Sequence, residues 1–145
     1  MSDETGRGLR MQRAPAAARE TLRALHTLTF PHDVHEDYRE GTWWIVRDNG
    51  HPVGFAGMRP SRSWSHAAYF SRAGVLPSHR GLGLQRRLIQ ARVVAARRQG
   101  FTRCITTTFE NPVSANNLAL AGFAPYLPEA PWGADGTTYW LKPLC

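Results

Sequence analysis

The chain contains very little cysteine and no long apolar run. Only Cys104 and Cys145 are cysteines among its 145 residues, which excludes the disulfide framework of a small secreted protein. No apolar segment approaches the ~20 residues that span a bilayer, and residues 1–20 lack the apolar stretch of a secretory signal. These absences predict a cytoplasmic protein that does not enter the membrane.

Acidic residues are scarce relative to basic ones. The chain has 18 Lys and Arg against 11 Asp and Glu, for a formal net charge of +7. Such an excess indicates an anionic partner, which could be nucleic acid, a membrane surface or a phosphorylated small molecule. Most arginines are scattered along the chain, which argues against nucleic acid. Their one local concentration runs from Arg80 to Arg103.

The rest of the composition, 42% hydrophobic and 20% charged, is typical of a soluble globular domain. Residues 1–14 show no apolar periodicity, so we expect a flexible N-terminal lead-in there. A single domain is then expected over residues 15–145.

Apolar spacing and turn residues predict the helices and strands of this domain. In chain order they are a helix at 16–30, a hairpin of strands at 42–48 and 52–59, a strand at 66–76, a helix at 82–99, a strand at 101–109, a short helix capped by Ser114 and a strand at 137–144. This order predicts an α/β (α+β) fold with a mixed, largely antiparallel central sheet flanked by helices. Within the strand at 66–76, Gly74 marks a bulge or a place of close approach.

The segment GVLPSHRGLGLQRRLI, residues 74–89, joins a strand to a helix through a glycine loop. The first amides of a helix have no intrahelical partner, and the helix dipole makes that end positive, so such a loop can bind an anion. Gly81 and Gly83 would let phosphate approach the backbone, and Arg80 and Arg86 could bind it through charge-assisted hydrogen bonds. The alternative is that the glycines only satisfy the geometry of a turn.

Two well-known phosphate loops do not match this segment. There is no GxxxxGK[ST] sequence, and Arg86 stands where a dinucleotide-binding fingerprint beginning at Gly81 needs its third glycine or alanine.

A second segment, NPVSANNLALAGF at 111–123, changes the interpretation of the first. Together the two resemble the GCN5-related N-acetyltransferase (GNAT) family, whose loop reads Arg/Gln-x-x-Gly-x-Gly/Ala after a strand that ends in Val-x-Pro. The matching residues are Val75, Pro77, Arg80 and Gly83 in the first segment and Asn111, Ser114, Gly122 and Phe123 in the second. The resemblance covers roughly residues 16–143 and implies a GNAT-like fold.

The resemblance implies an acetyl-CoA-dependent N-acetyltransferase that transfers the acetyl group directly to an amine. Acetyl-CoA would be the acyl donor, its pyrophosphate bound by the amides of 80–86 and its thioester carbonyl polarised by an N–H near Val75. The residues expected to bind it are Val75, Leu76, Arg80, Gly81, Leu82, Gly83, Leu84, Gln85, Arg86, Asn111, Asn116 and Asn117. For the asparagines, helix capping and turn formation are the alternative roles.

The sequence also departs from the family pattern. Gln85 occupies a position that is small in the family loop, and Leu118 stands where many members have a tyrosine that acts as general acid. The strand before the loop, with Tyr69, Phe70, Ser71 and Arg72, lacks the glutamate that often acts as general base. The catalytic residues are therefore unassigned, and the alternative is a catalytically silent acyl-CoA-binding module.

The acceptor amine is not encoded in any readable motif. Glu36, Asp37 and Glu40 lie where the family usually forms its acceptor pocket, although surface solvation is the alternative role for each. His32 and His35 lie beside carboxylates but lack two further ligands at a suitable spacing, so no metal site is expected.

Two other features of the sequence concern packing. Trp43 and Trp44 should point to opposite faces of their strand, one into the core and the other into a groove or a homodimer contact. Cys104, within a strand, is expected to be a small buried residue.

Overall fold

The computed structural model of the chain describes residues 8 to 144, and in that range the chain forms seven strands and three α-helices. The strands are β1 (Leu9–Arg13), β2 (Thr42–Asp48), β3 (His51–Pro60), β4 (Ala67–Val75), β5 (Arg103–Thr108), β6 (Ala124–Tyr126) and β7 (Thr138–Pro143). The helices are α1 (Arg19–Thr29), α2 (Leu84–Arg98) and α3 (Pro112–Leu120).

The strands form a mixed sheet in the order β1-β2-β3-β4-β5-β7-β6. The pairs β1–β2, β2–β3, β5–β7 and β6–β7 are antiparallel, whereas β4 and β5 are parallel. The parallel pair is in register from Ala67–Arg103 to Tyr69–Ile105. The predicted fold class, a largely antiparallel mixed sheet with helices, is confirmed.

Contacts within the chain divide it into two compact units. The first contains residues up to Arg59 together with Ser71–Leu88, and the second contains Pro60–Phe70 and the residues from Ile89 onward. Strand β4 and helix α2 each contribute to both units. The single domain over residues 15–145 stays a prediction.

The core of the first unit forms around one face of α1. Leu22 and Leu25, three residues apart on that helix, are 1% and 2% exposed and cluster with Ile45 of β2 and Phe55 of β3. Burying a leucine side chain stabilises a fold by about 1.5–3 kcal/mol. Leu22 and Leu25 therefore stabilise this unit, whereas Leu28 of the same helix is 65% exposed.

Strand β2 is buried on both of its faces. Trp43 and Trp44 are each only 5% exposed, so the expectation that one of them faces a groove or a subunit contact is wrong for this chain. Trp43 packs against Tyr38 and Phe55, and the guanidinium of Arg13 lies 5.8 Å from the Trp44 ring.

The flexible lead-in expected through residue 14 is wrong for Leu9–Arg13. These residues form β1, which pairs antiparallel with β2 from Leu9–Asp48 to Arg13–Trp44. Only Leu9 is buried in this edge strand, which explains why it shows no apolar alternation. The rest of the predicted lead-in up to residue 7 lies outside the described residues.

The cap predicted for α3 is also wrong. Asn111, rather than Ser114, is the N-cap residue, and its side-chain oxygen accepts a hydrogen bond of 3.0 Å from the Ser114 N–H. Pro112 therefore occupies the first turn of α3, where its missing N–H leaves no hydrogen bond unmade.

Helix α2 is buried along two rows of apolar side chains. Its buried apolar residues are Leu84, Leu88, Ile89, Val93, Ala95 and Ala96. In the part of the chain that is described, no helix has both the length and the apolar character needed to cross a membrane. Cys104, on β5, is fully buried as expected, and burial raises the pKa of its thiol to about 12.

Candidate functional site

The strand-to-helix connection begins where β4 ends. The N–H of Leu76 donates a 2.8 Å hydrogen bond to the carbonyl oxygen of Val53, which fastens the chain leaving β4 to β3. A 3-10 turn at Pro77–His79 follows, closed by a 2.9 Å hydrogen bond from the His79 N–H to the Leu76 carbonyl oxygen. The path of the backbone into the loop is thus fixed on one side by an ordered strand.

Two glycines give the loop its shape. Gly81 and Gly83 have φ angles of +82° and +76°, a region in which a residue with a Cβ is strained. A Cβ built on either one would meet no described atom within 4 Å. The backbone therefore requires glycine here, and the space beside both residues is open to a ligand.

Six successive backbone N–H groups, from Gly81 to Arg86, have no hydrogen-bond acceptor among residues 8–144. The next N–H along the chain, that of Arg87, does have an acceptor: it donates to the Gly83 carbonyl oxygen at 3.1 Å. Consecutive unpaired amides at a helix start form an anion site, because their N–H dipoles and the helix dipole all favour negative charge. We call residues 80–86 the phosphate loop.

Arginines surround the phosphate loop. The Nε–H of Arg80 donates to the carbonyl oxygen of Val75 at 3.2 Å, so this side chain reaches back across the loop to the end of β4. Arg86 and Arg87, in the first turn of α2, are exposed. These guanidinium groups can provide charge-assisted hydrogen bonds to a phosphate.

The side chains of the predicted donor-binding residues differ in exposure. Val75 and Leu84 are buried, so they could face a ligand only through their backbone. Leu76 and Gln85 are half-buried, and Leu82 is 38% exposed. All of these residues belong to the first unit, and the structure brings them together in one continuous connection.

The three predicted asparagines belong to α3 and its cap, in the second unit. The side-chain oxygen of Asn111 is used for capping, which is the alternative that the sequence left open. Asn116 is exposed and Asn117 is half-buried. Contacts of all three with a donor stay a prediction.

The position at which the family often has a tyrosine faces the interior of the second unit. Leu118 is 6% exposed, and its carbonyl oxygen accepts a 3.0 Å hydrogen bond from the Phe123 N–H. Two native tyrosines lie opposite each other on β6 and β7, Tyr126 and Tyr139. The Tyr139 hydroxyl accepts from the Gly133 N–H at 2.8 Å, whereas the Tyr126 hydroxyl is buried without a partner among the described residues, and burial raises its pKa.

Arg72 lies on β4, the strand on which the sequence lacks the family's glutamate, and it pairs with two carboxylates. Its guanidinium lies 2.6 Å from Asp33 and 3.6 Å from Glu36, and it also covers the Phe30 ring at 4.7 Å. The sequence pointed to Glu36 but gave no sign of Asp33 or of the pairing, because the partners are far apart in the chain. The other two carboxylates of this segment, Asp37 and Glu40, pair with Arg39 and Arg59.

A buried histidine, His26, anchors the segment that contains Asp33 and Tyr38. The sequence gave no sign of this role, because His26 lies on the apolar face of α1. His26 is 0% exposed, its Nδ1 lies 2.7 Å from the Tyr38 hydroxyl and its Nε2 lies 3.3 Å from the Asp33 carbonyl oxygen. A carbonyl can only accept, so Nε2 carries the hydrogen and the Tyr38 O–H donates to Nδ1. Burial lowers the pKa of His26 and raises that of Tyr38 to about 12, so both groups stay neutral near pH 7.

The ring of His35 stacks on that of His26 at 4.2 Å, and His32 is exposed. Among the residues that the structure describes, no three His, Cys, Asp or Glu side chains are grouped as metal ligands.

Gly74 marks a close approach. A Cβ there would lie 2.8 Å from the Thr29 hydroxyl oxygen and 2.9 Å from a ring carbon of Phe55. The end of α1 therefore packs against β4 one residue before Val75, with no room for a side chain.

Comparison with known proteins identifies the family to which these features point. Residues 13–123 match the family model described as Acetyltransferase (GNAT) family. No curated protein sequence is similar enough to this one to count as a match.

Solved structures share the fold at low sequence identity. A Lactobacillus plantarum protein provisionally assigned as an N-acetyltransferase is 20% identical, with a TM-score of 0.76 over 95% of this chain and 99% of its own. A Bacillus subtilis acetyltransferase in complex with CoA is 14% identical, with a TM-score of 0.76 over 94% and 99%. A Salmonella typhimurium protein solved with acetyl-CoA is 18% identical, with a TM-score of 0.74 over 94% of both chains.

Proposed function

Because the chain belongs to the GNAT acetyltransferase family, we propose that it transfers an acetyl group from acetyl-CoA directly to the amine of a small molecule or protein. The observation that carries this proposal is the phosphate loop, in which six successive amides have no acceptor in the part of the chain that the structure describes. A donor that contains a pyrophosphate group suits residues 80–86, which offer many N–H groups and include no Asp or Glu.

The residues of the loop fit the donor. The pyrophosphate accepts hydrogen bonds from the amides of 81–86, and Arg80 and Arg86 add charge-assisted contacts. The open space beside Gly81 and Gly83 leaves room for phosphate oxygens close to the backbone. Asn111, Asn116 and Asn117 are proposed contacts for the pantetheine arm.

The chemical step needs a polarised carbonyl and a neutral amine. We assign the polarising N–H to Val75, at the end of β4, where it would stabilise the oxyanion of the tetrahedral transition state. An alkylamine has a pKa near ~10 and must lose a proton before it can attack. Since β4 carries Arg72 instead of a carboxylate, that proton leaves to solvent or to Asp33 or Glu36, which Arg72 holds.

The leaving group, the thiolate of CoA, needs little help from a general acid. A thiol has a pKa of about 8.5, so the thiolate leaves without a strong acid. Acetyl transfer is therefore compatible with a buried leucine, Leu118, at the position where many family members have a tyrosine.

Binding is tested by calorimetry and by thermal unfolding with acetyl-CoA. A ligand at ~100 times its Kd stabilises the native state by about 2.7 kcal/mol, so a clear rise in Tm is expected. Absence of both a heat signal and a Tm shift at millimolar acetyl-CoA would refute the donor assignment. Arg80→Ala should weaken binding moderately, because it removes one charged contact.

Turnover is tested with a panel of polyamines, amino acids, aminoglycosides and peptides, by following release of free CoA thiol. An acetyltransferase should show amine-dependent release above hydrolysis. A catalytically silent acyl-CoA-binding module is the second candidate, favoured by Leu118 and by Arg72 on β4. Tight acetyl-CoA binding without release of thiol on any amine would support it.

A further inference from the structure

We propose that Asp48 and His79 form a latch that holds the phosphate loop in its anion-binding shape; this inference rests on the proposed acetyl-CoA site. His79 is the last residue of the 3-10 turn that leads into the loop, and Asp48 ends β2. The Nε2 atom of His79 lies 2.8 Å from Oδ2 of Asp48. These two residues are 31 positions apart in sequence, and neither is among the positions that match the family's loop motif.

Both ring nitrogens of His79 have hydrogen-bond partners. A carboxylate can only accept, so the Nε2 of His79 carries the hydrogen that bonds Asp48. On the other side of the ring, Nδ1 lies 2.8 Å from the hydroxyl oxygen of Ser78, which donates to it when the ring is neutral. The ring is thus fixed between a side chain of the turn and a side chain of the sheet.

Asp48 is held on a rigid support. It precedes the tight Asn49–Gly50 turn of the β2–β3 hairpin, and Leu9 of β1 pairs with it across the sheet. Its other oxygen, Oδ1, is buried and has no hydrogen-bond partner among the described residues. A buried carboxylate oxygen without a partner is destabilising, so folding stability alone does not explain an aspartate here. Its bond to His79 does provide a reason.

The latch matters because the turn has few other hydrogen bonds; the other side-chain anchor among the described residues is the Arg80 Nε–H, which donates to the Val75 carbonyl oxygen at 3.2 Å. Within Pro77–Arg80, the backbone hydrogen bonds are those from His79 to Leu76 at 2.9 Å and from Arg80 to Pro77 at a long 3.4 Å. A loop that is already ordered loses less conformational entropy when it binds a ligand. Without the latch, part of the binding free energy of acetyl-CoA would be used to order the loop.

The test measures acetyl-CoA affinity of the full chain by calorimetry in Asp48→Ala, His79→Ala and the double variant. Each single variant should weaken binding about ten- to a hundredfold, the usual effect of losing a hydrogen bond to a charged group. The double variant should be no weaker than the weaker single one, because both remove the same latch. Asp48→Asn keeps an acceptor oxygen and should recover most of the affinity lost in Asp48→Ala.

The matched control is His51→Ala. His51 is exposed and lies opposite Asp48 across the hairpin, but it makes no hydrogen bond to the loop among the described residues. Its loss should leave affinity at the parent value. In steady-state assays the latch variants should raise the KM for acetyl-CoA while kcat changes less than about threefold, which general damage to the fold would not produce.

A ligand-free measurement separates this inference from the proposed function. The ¹⁵N chemical shifts of His79 should report a hydrogen on Nε2 in the parent and a tautomer mixture in Asp48→Ala. Failure of the parent to bind acetyl-CoA would refute the donor assignment, whereas binding by both single variants at the parent affinity would overturn the latch. Strictly additive losses in the double variant would overturn it too.

Discussion

Replacing Gly83 by alanine separates the two reasons for a glycine in the phosphate loop. Gly83 has a φ of +76°, so an alanine there is strained by about 1–2 kcal/mol in the free protein. A Cβ there would meet no atom of the described residues within 4 Å, so no steric clash adds to that strain. The fold should therefore survive Gly83→Ala with a modest loss of stability, measured by urea unfolding.

The effect on acetyl-CoA should be larger. The new methyl group would stand where we propose that phosphate oxygens contact the backbone, and it would push them away from the amides that follow Gly83. Losing even one hydrogen bond to a charged group costs about 1.5–3 kcal/mol, which corresponds to a roughly ten- to hundredfold rise in Kd. Calorimetry with acetyl-CoA measures this rise directly.

Gly100 provides the matched control. It follows α2 with a φ of +88°, and a Cβ there also meets nothing within 4 Å. Gly100→Ala should therefore lose as much stability as Gly83→Ala, yet bind acetyl-CoA like the parent. Equal affinities in the two variants would show that the loop glycines serve the turn alone, and our interpretation of the site would be wrong.

Three further predictions concern residues outside the loop. Burial lowers the pKa of His26 below its usual 6.5, so the unfolded chain binds a proton at this histidine more tightly than the folded chain does. The contribution of His26 to folding stability is therefore complete above pH 6.5 and is lost as the pH falls below that value. The urea midpoint should thus fall less steeply below pH 6.5 in His26→Gln than in the parent, and parallel curves would contradict this. Gly74→Ala should destabilise the fold by about 1–3 kcal/mol through overpacking against α1, and an unchanged urea midpoint would disprove the close approach. Tyr126→Phe and Tyr139→Phe should each keep turnover within roughly tenfold, since general acids are worth 10²–10⁴-fold; a hundredfold drop at unchanged affinity would identify the acid.

The elements that the sequence predicted well have strong local signals. Helix α2 has two apolar rows and a terminal glycine, and the loop before it carries glycines whose positive φ angles explain their presence. The strands missed were β1 and β6, which are short or carry a single buried side chain. Their pairing with neighbours, and not their own pattern, keeps them in the sheet.

Long-range polar pairs were beyond the sequence. The contacts of His79 with Asp48 and of Arg72 with Asp33 join residues that only the folded chain brings together. Arg92 is a similar case, because it interrupts the apolar side of α2 yet is 4% exposed, with its guanidinium 4.4 Å from the Phe70 ring. Such burial lowers its pKa to about 9, and no periodicity could have indicated it.

The side chain of Arg80 connects the start of the phosphate loop to the end of β4. Its Nε–H donates to the carbonyl oxygen of Val75, the residue proposed to polarise the thioester, and the same guanidinium group is our proposed contact for the pyrophosphate. Capture of the nucleotide end can therefore tighten the backbone beside the reacting carbonyl, so that remote binding energy supports the chemical step. In that case the adenosine diphosphate portion of the donor contributes to the rate of acetyl transfer as well as to binding. A thioester that lacks this portion would then have a lower kcat than acetyl-CoA.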